Sequence, residues 1–281
     1  MISIIIPAHN ERAVIARGLE ALISGSKPDE IEIIVVCNGC TDDTAEIARR
    51  FAPIVRVIET EVASKTNALN IGDSIARYFP RVYIDADIVI KIDAVRELAR
   101  HLAKGDILAV APVPILDITG CSASVRAYYA VRSHLPSARQ GLGGSGVYAL
   151  SRTGRARFCE FPKITADDAY VRLQFSPQER ETISSATSTV YAPRTLRHLK
   201  AIRARIYYGT QELSRSFPEV QVNADTSNNR ILLDLMKRPA LWFGLVIYFY
   251  VNIMARYLAH AARYRGSFKW GHDQSSRSQA A

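Results

Sequence analysis

The chain has 281 residues, 48% hydrophobic and 22% charged, which is long enough to bury a full core and too apolar for general disorder. Its formal net charge of +9 suits an anionic partner, such as a phosphate-bearing ligand or an anionic membrane face. The basic residues thicken from Arg194 onward without an interleaved aromatic stacking platform, which argues against nucleic acid.

In chain order, short Ile- and Val-rich runs at 2–7, 31–37, 55–59, 82–84 and 107–113 alternate with helix-period stretches at 12–23, 42–51, 65–78 and 92–103. That alternation predicts an α/β fold, a Rossmann-like, mostly parallel sheet with helices on both faces. Asn10-Glu11 and the stretch Thr41 to Thr44 read as caps for the first two helices. No cationic, apolar leader precedes the first run, so Cys37, Cys40, Cys121 and Cys159 are expected as free thiols on the cytoplasmic side.

After about residue 115 the rhythm loosens. A helix is expected near 122–134, then a glycine-rich loop at 141–146, a strand at 147–150, and a helix opening near Thr165. A strand over 187–191 and a basic helix over 195–213 follow, then a polar surface loop at 214–229. Residues 240–255, "ALWFGLVIYFYVNIMA", carry no charge and are flanked by Lys237, Arg238 and Arg256. The expected division is a catalytic domain at 1–215, a polar linker at 216–229, an apolar and basic helix at 230–266, and a disordered tail at 267–281.

Ligands of a parallel sheet sit at the carboxyl ends of its strands. Four clusters fall at such ends: Pro7-Ala8-His9-Asn10-Glu11, Cys37-Asn38-Gly39, Ser64-Lys65 and Asp85-Ala86-Asp87. Asp85 and Asp87 repel each other there unless something positive relieves them, and a hard divalent cation does so with carboxylate and phosphate oxygens. A solvated turn with a helix-capping Asp is the plainer alternative for an isolated Asp-x-Asp, and the surrounding rim weighs against it. Cys37 and Cys40 have the spacing of a redox pair, but Asp42 and Asp43 follow directly and are expected to raise a thiol pKa. There is no P-loop, and no Gly-x-Gly-x-x-Gly follows the first strand, which argues against the common NTPase and nicotinamide classes. Asp167-Asp168 is a second acidic pair, either answering a helix dipole or supplying a general base.

The segments "SIIIPAHNE", "EIIVVCNGCTDDT", "SKTNALNIG", "YIDADI" and "TADDAYVRLQF", in that order, resemble the inverting glycosyltransferases of family 2, which have the GT-A fold. The resemblance spans about residues 2–175. It implies a nucleotide pocket made by Pro7, Ala8, His9, Glu11, Asn38, Lys65 and Asp85. It places a divalent metal, Mg²⁺ or Mn²⁺, on Asp87, the general base at Asp168, and Asp167 as its acidic neighbour. Asn38 stands where the family has an Asp that accepts from uracil; its carbonyl still accepts, so a UDP-sugar is the default. Gly144, Ser145, Arg203 and Arg205 are assigned to the phosphate and acceptor region. The Gln-x-x-Arg-Trp of processive members is absent, which favours addition of a single sugar to a glycan or lipid-linked acceptor.

Two rivals stand beside this expectation. A nucleotidyltransferase also uses a metal-bound Asp at a sheet rim, but "PAHNERAV" is not its glycine-rich basic loop. A non-catalytic sugar-nucleotide-binding protein would bind without turnover. The run 240–259, with Trp242 and Tyr257 near its ends, is expected to contact a membrane, placing the protein on the cytoplasmic side of the inner membrane; a buried helix of a cytoplasmic protein is the alternative.

Overall fold

The computed structural model describes residues 1–224 and 229–264. They form two compact units: 1–115 with 140–163 and 167–190, and 116–139 with 164–166 and the residues from 191 onward.

The first unit is built on the Ile- and Val-rich strands. β1 (Ile2–Ala8) pairs in parallel with β2 (Ile31–Asn38) and β4 (Arg81–Ile84), and β2 pairs in parallel with β3 (Val55–Thr60). Both faces of β1 are buried, which is why it reads as a continuous apolar run. Helices α1 (Ile15–Ile23), α2 (Thr44–Arg49) and α3 (Lys65–Ile75) connect these parallel strands. β5 (Val89–Ile90) and α4 (Ile92–Leu102) follow β4. Ile4, Ile33, Val35 and Val82 lie at the centre of the core, with α1 packing Ile15, Leu19 and Leu22 onto it.

Beyond β4 the sheet continues with antiparallel pairings. β6 (Ala109–Asp117) pairs with β7 (Val147–Leu150), β7 with β4, and β5 with β8 (Arg180–Tyr191), in the order β3-β2-β1-β4-β7-β6-β8-β5. The run expected at 107–113 is therefore a strand, but not a further parallel one. Apolar runs reveal burial, not direction. The strand expected at 187–191 is the end of the longer β8.

Two cap assignments also change. α1 begins at Ile15 with Val14 before it, and no side chain caps it. Asn10 instead takes a left-handed φ of 52° and accepts from the Thr41 amide at 2.7 Å, so it ties two loops together. Asp43 precedes α2 without a side-chain cap bond, while Asp42 Oδ1 accepts from the Thr44 amide at 3.1 Å.

The first unit also holds the short α6 (Arg152–Arg155) and α7 (Asp167–Leu173). The second unit contains α5 (Ala123–Arg132), α8 (Leu196–Ser216), α9 (Asn229–Met236) and α10 (Trp242–Tyr264). Tyr128, Leu199 and Val251 join α5, α8 and α10 in one cluster, and Val131, Leu235 and Leu245 join α5, α9 and α10 in another. Within the stretch expected as a polar loop, α8 runs on to Ser216 and a 3₁₀ turn covers Pro218–Asn223. The tail expected at 267–281 lies outside the described residues.

Candidate active site

The carboxyl ends of β1 and β2 are stitched together. The buried Asn38 donates from Nδ2 to the Ala8 carbonyl at 2.9 Å, which leaves its Oδ1 as the acceptor. His9 Nδ1 lies 2.5 Å from the Asn38 carbonyl. The Glu11 amide donates to Thr44 Oγ1 at 2.8 Å, and the Glu11 side chain is buried. Gly39 turns the chain with φ 57°; a Cβ there would lie 2.7 Å from that of Ala63, so the turn admits no side chain without movement. Pro7 and Ala8 are buried at the end of β1.

Lys65 opens α3 after Ser64, whose hydroxyl accepts from the Asn67 amide. A cation in the first turn of a helix opposes the dipole. Its partners explain the placement: Lys65 Nζ is 2.8 Å from Asp85 Oδ1 and 3.1 Å from Asp167 Oδ2. Burial alone would lower the Lys65 pKa, but Asp167, Asp85 and Asp168 outweigh it and keep the ammonium charged beyond the ordinary lysine range. Burial, helped by Asp168 and Asp85, pushes the Asp167 carboxyl up to about 6 against the pull of Lys65. Asp167 Oδ2 has its charge partner but no well-directed hydrogen bond.

The two acids of α7 are thus unlike. Asp167 is buried at 3% exposure, whereas Asp168 is half-exposed and accepts from the Ala169 amide at 2.7 Å. Asp85 continues β4, its amide donating to the Gly146 carbonyl at 2.8 Å. Gly146 has φ 71°, and a Cβ there would lie 3.0 Å from Asp85 Oδ2, so only glycine lets the loop pass the carboxylate this closely. Asp87, two residues on, is half-exposed.

Tyr148 is a member of this neighbourhood that the sequence reading missed. Its ring stacks on Tyr83 with centroids 4.8 Å apart, and its buried hydroxyl has no hydrogen-bond partner. Burial, then Asp167, Tyr83, Asp85 and Asp168, hold the phenol well above its ordinary pKa. In sequence it is one apolar residue of a short strand, and nothing local marks it.

Lys65, Asp85, Asp167 and Asp168 are brought together, and Asn38, His9 and Glu11 are joined through the β1 and β2 loops. Gly144 is exposed with φ 122°, whereas the Ser145 hydroxyl is buried and donates to the Gly141 carbonyl within its own loop. Arg203 and Arg205 belong to α8 in the second unit; Arg203 donates to Asn252 Oδ1 at 3.3 Å and its guanidinium sits 5.2 Å from the Tyr207 ring centroid. Among the described residues no group of three or more His, Cys, Asp or Glu could hold a metal by itself. Half-exposed Asp87 beside the rim has the donor chemistry for a Mg²⁺- or Mn²⁺-type ion that takes most of its oxygens from a ligand and water.

Removing the cation of this cluster isolates a buried charge. Lys65→Ala should destabilise the fold by about 3 kcal/mol in urea titrations. The loss should be largest in alkaline solution and shrink as acid protonates Asp167, whose carboxyl sits at about 6 even with Lys65 present. A loss independent of pH would contradict the pairing.

Residues 3–140 match the family model described as Glycosyl transferase family 2. Over these residues the chain belongs to glycosyl transferase family 2. A poly-beta-1,6-N-acetyl-D-glucosamine synthase of Staphylococcus epidermidis is 35% identical over 96 residues, 33% of this chain and 23% of that protein. Glycosyltransferase AglD of Haloferax volcanii is 30% identical over 113 residues, 37% of this chain and 18% of that protein. The chain thus aligns with less than a quarter of the length of these relatives. Among solved structures, the mannosyltransferase PcManGT of Pyrobaculum calidifontis, in complex with GDP-Man and Mn²⁺, is similar at TM-score 0.60 and 21% identity, covering 95% of this chain and 76% of that one. Glucosyl-3-phosphoglycerate synthase of Mycobacterium tuberculosis, with Mn²⁺, UDP and glucosyl-3-phosphoglycerate, is similar at TM-score 0.55 and 24% identity, covering 76% and 79%. These likenesses establish the family 2-like GT-A fold.

Proposed function

We propose that the protein transfers one sugar from a nucleotide sugar to an acceptor hydroxyl, with inversion at the anomeric carbon and with a divalent metal. The observation that carries this is the Lys65 ammonium held between Asp85 and Asp167 at the carboxyl-end rim of the sheet, with half-exposed Asp168 beside it. Pro7, Ala8, His9, Glu11 and Asn38 hold the nucleoside; the oriented Asn38 Oδ1 accepts an imide N–H, so a UDP-sugar is the default. Asp85 faces the ribose, and Lys65 supplies positive charge toward the diphosphate. Asp87 would hold Mg²⁺ or Mn²⁺, which when bound neutralises charge on the departing diphosphate. Asp168 takes the proton of the attacking hydroxyl, and buried Asp167 anchors Lys65. Gly144 lies in the loop assigned to the phosphate and acceptor region, where Ser145 contributes loop structure. Arg203 and Arg205 add basic charge on α8. Calorimetric titration with a panel of nucleotide sugars, with and without Mn²⁺, tests the reading. It expects at least one nucleotide sugar to bind only with the metal; no binding across the panel would overturn it.

The acceptor belongs at a membrane on this reading, either a lipid-linked sugar or a glycan growing there. The stretch Pro239–Arg263 is long and apolar enough to cross a bilayer, with mean hydropathy 1.4. Only one face of α10 is used within the protein, however. Val251, Ala255 and Ala259 are fully buried, while Phe243, Val246, Ile253 and Tyr257 are 63–66% exposed. Spanning would carry charged α8 neighbours such as Lys200, which donates to the Tyr250 hydroxyl at 3.2 Å, toward hydrocarbon. The second unit also carries the chain's positive excess, with Arg197, Lys200, Lys237 and Arg238 among its cations. An in-plane helix on an anionic cytoplasmic leaflet satisfies both features. The full chain should float with anionic phospholipid vesicles and not with zwitterionic ones, and V246E with I253E should abolish flotation. Flotation unaffected by these changes would return α10 to a role within the protein.

A further inference from the structure

Two thiols bracket the turn that carries Asn38. Cys37 ends β2 and is buried at 1% exposure; Cys40 lies three residues on and is half-buried. Gly39, with φ 57°, folds the turn, so that Cys37 lies in the apolar core and Cys40 packs against that same cluster. Cys40 also closes the gap to the first loop: its S–H donates to the Ala8 carbonyl at 3.4 Å, and its sulfur accepts from the Asn10 amide at 3.4 Å. Asp42 raises the Cys40 thiol as expected, but it does not set the net direction. The hydrogen bond from Cys37 brings the Cys40 thiol down to about 6 against burial and Asp42, while that same bond and burial push Cys37 up. The pair therefore has an acidic, partly reachable sulfur backed by a buried protonated one, the arrangement of an attacking and a resolving thiol.

We propose that Cys37 and Cys40 are an oxidation site, a dithiol that a hydroperoxide converts to a disulfide and that a thiol reductant restores. The Cys40 thiolate attacks the terminal hydroxyl oxygen of the peroxide; the O–O bond breaks, hydroxide (or the alkoxide of an organic hydroperoxide) leaves, and Cys40 becomes a sulfenic acid. The Cys37 sulfur then attacks the Cys40 sulfur, its proton goes to the departing hydroxyl, and water leaves as the S–S bond forms. Peroxide is reduced and the two thiols are oxidised, so the electrons balance.

The consequence lies in the loops. A disulfide sulfur is neutral and a weaker acceptor than a thiolate, so the bond from the Asn10 amide weakens as Cys40 is tied to Cys37. The first loop then has a weaker tie to the Asn38 turn. A weaker grip on the sugar donor follows, and this last step rests on the proposed reading of that turn as the nucleobase pocket.

The test uses the full chain with the exposed Cys159 changed to serine, treated with hydrogen peroxide and then with dithiothreitol. Non-reducing peptide mass spectrometry should show a Cys37–Cys40 bond that dithiothreitol removes. Hydrogen exchange at the Asn10 and Thr41 amides should rise about fivefold or more on oxidation, as expected for a weakened hydrogen bond, and return on reduction. Cys37→Ala, or Cys37→Ser should the alanine chain not fold, should form no such bond and show no rise. Absence of the bond, unchanged exchange after it forms, or an equal rise in the Cys37 variant would each overturn the proposal. Reduced chain that binds no nucleotide sugar would instead remove the pocket reading, while the mass and exchange results still decide the dithiol.

Discussion

Asp87→Ala should lose sugar transfer by on the order of 10²-fold or more while unfolding at nearly the wild-type temperature. Asp87 is half-exposed just beyond β4, so its removal opens no core cavity. Its neighbour Asp85 is engaged by Lys65 at 2.8 Å, and the proposed reading assigns the cation to Asp87. The loss should persist at saturating sugar donor, because charge on the leaving diphosphate grows in the transition state. Near-wild-type transfer by a folded Asp87→Ala protein that still needs divalent metal would remove Asp87 as the ligand.

Asp168→Asn and Asp167→Asn should fail in different ways. Asp168 is half-exposed in the first turn of α7, where an acceptor hydroxyl can reach it. Its amide should stop transfer by about 10²- to 10⁴-fold, the usual contribution of a general base, and leave binding of the nucleotide sugar intact. Asp167 is buried against Lys65 at 3.1 Å, so Asp167→Asn should act through the lysine: weaker binding of the sugar donor, with a smaller loss at saturation. Steady-state kinetics with both substrates varied separates the two. An inactive Asp167→Asn beside an active Asp168→Asn would reverse the roles.

Much of the first unit is legible in the sequence because its strands are buried on both faces. Ile2–Ala8 and Ile31–Asn38 have few polar interruptions, and turn residues mark their ends. The direction of β6 and β7 is not legible, since a buried apolar run looks the same either way. Lys65, Asp85 and Asp167 each stand out at an element's edge, but their convergence on one ammonium is tertiary. Tyr148 leaves no local trace, because a tyrosine in "VYAL" reads as core until three acids are found near it. The second unit is equally hidden: α5 sits between strands of the first unit in sequence, yet packs with α8 and α10. The Cys40 thiol shows the limit of charge counting, because a hydrogen bond from Cys37 outweighs the aspartate that follows.

The central claim is chemical, and release of nucleoside diphosphate from nucleotide sugars tests it most directly. Purified full-length protein would be incubated with a panel of UDP-, GDP- and other nucleotide sugars, with Mn²⁺ or Mg²⁺ and with chelator, with and without membrane-lipid extract as a source of acceptor. The account predicts release from at least one nucleotide sugar, loss of that release on chelation and in Asp87→Ala, and stimulation by the acceptor. Release that ignores both chelation and Asp87→Ala, or no release from any member of the panel by a folded protein, would contradict it.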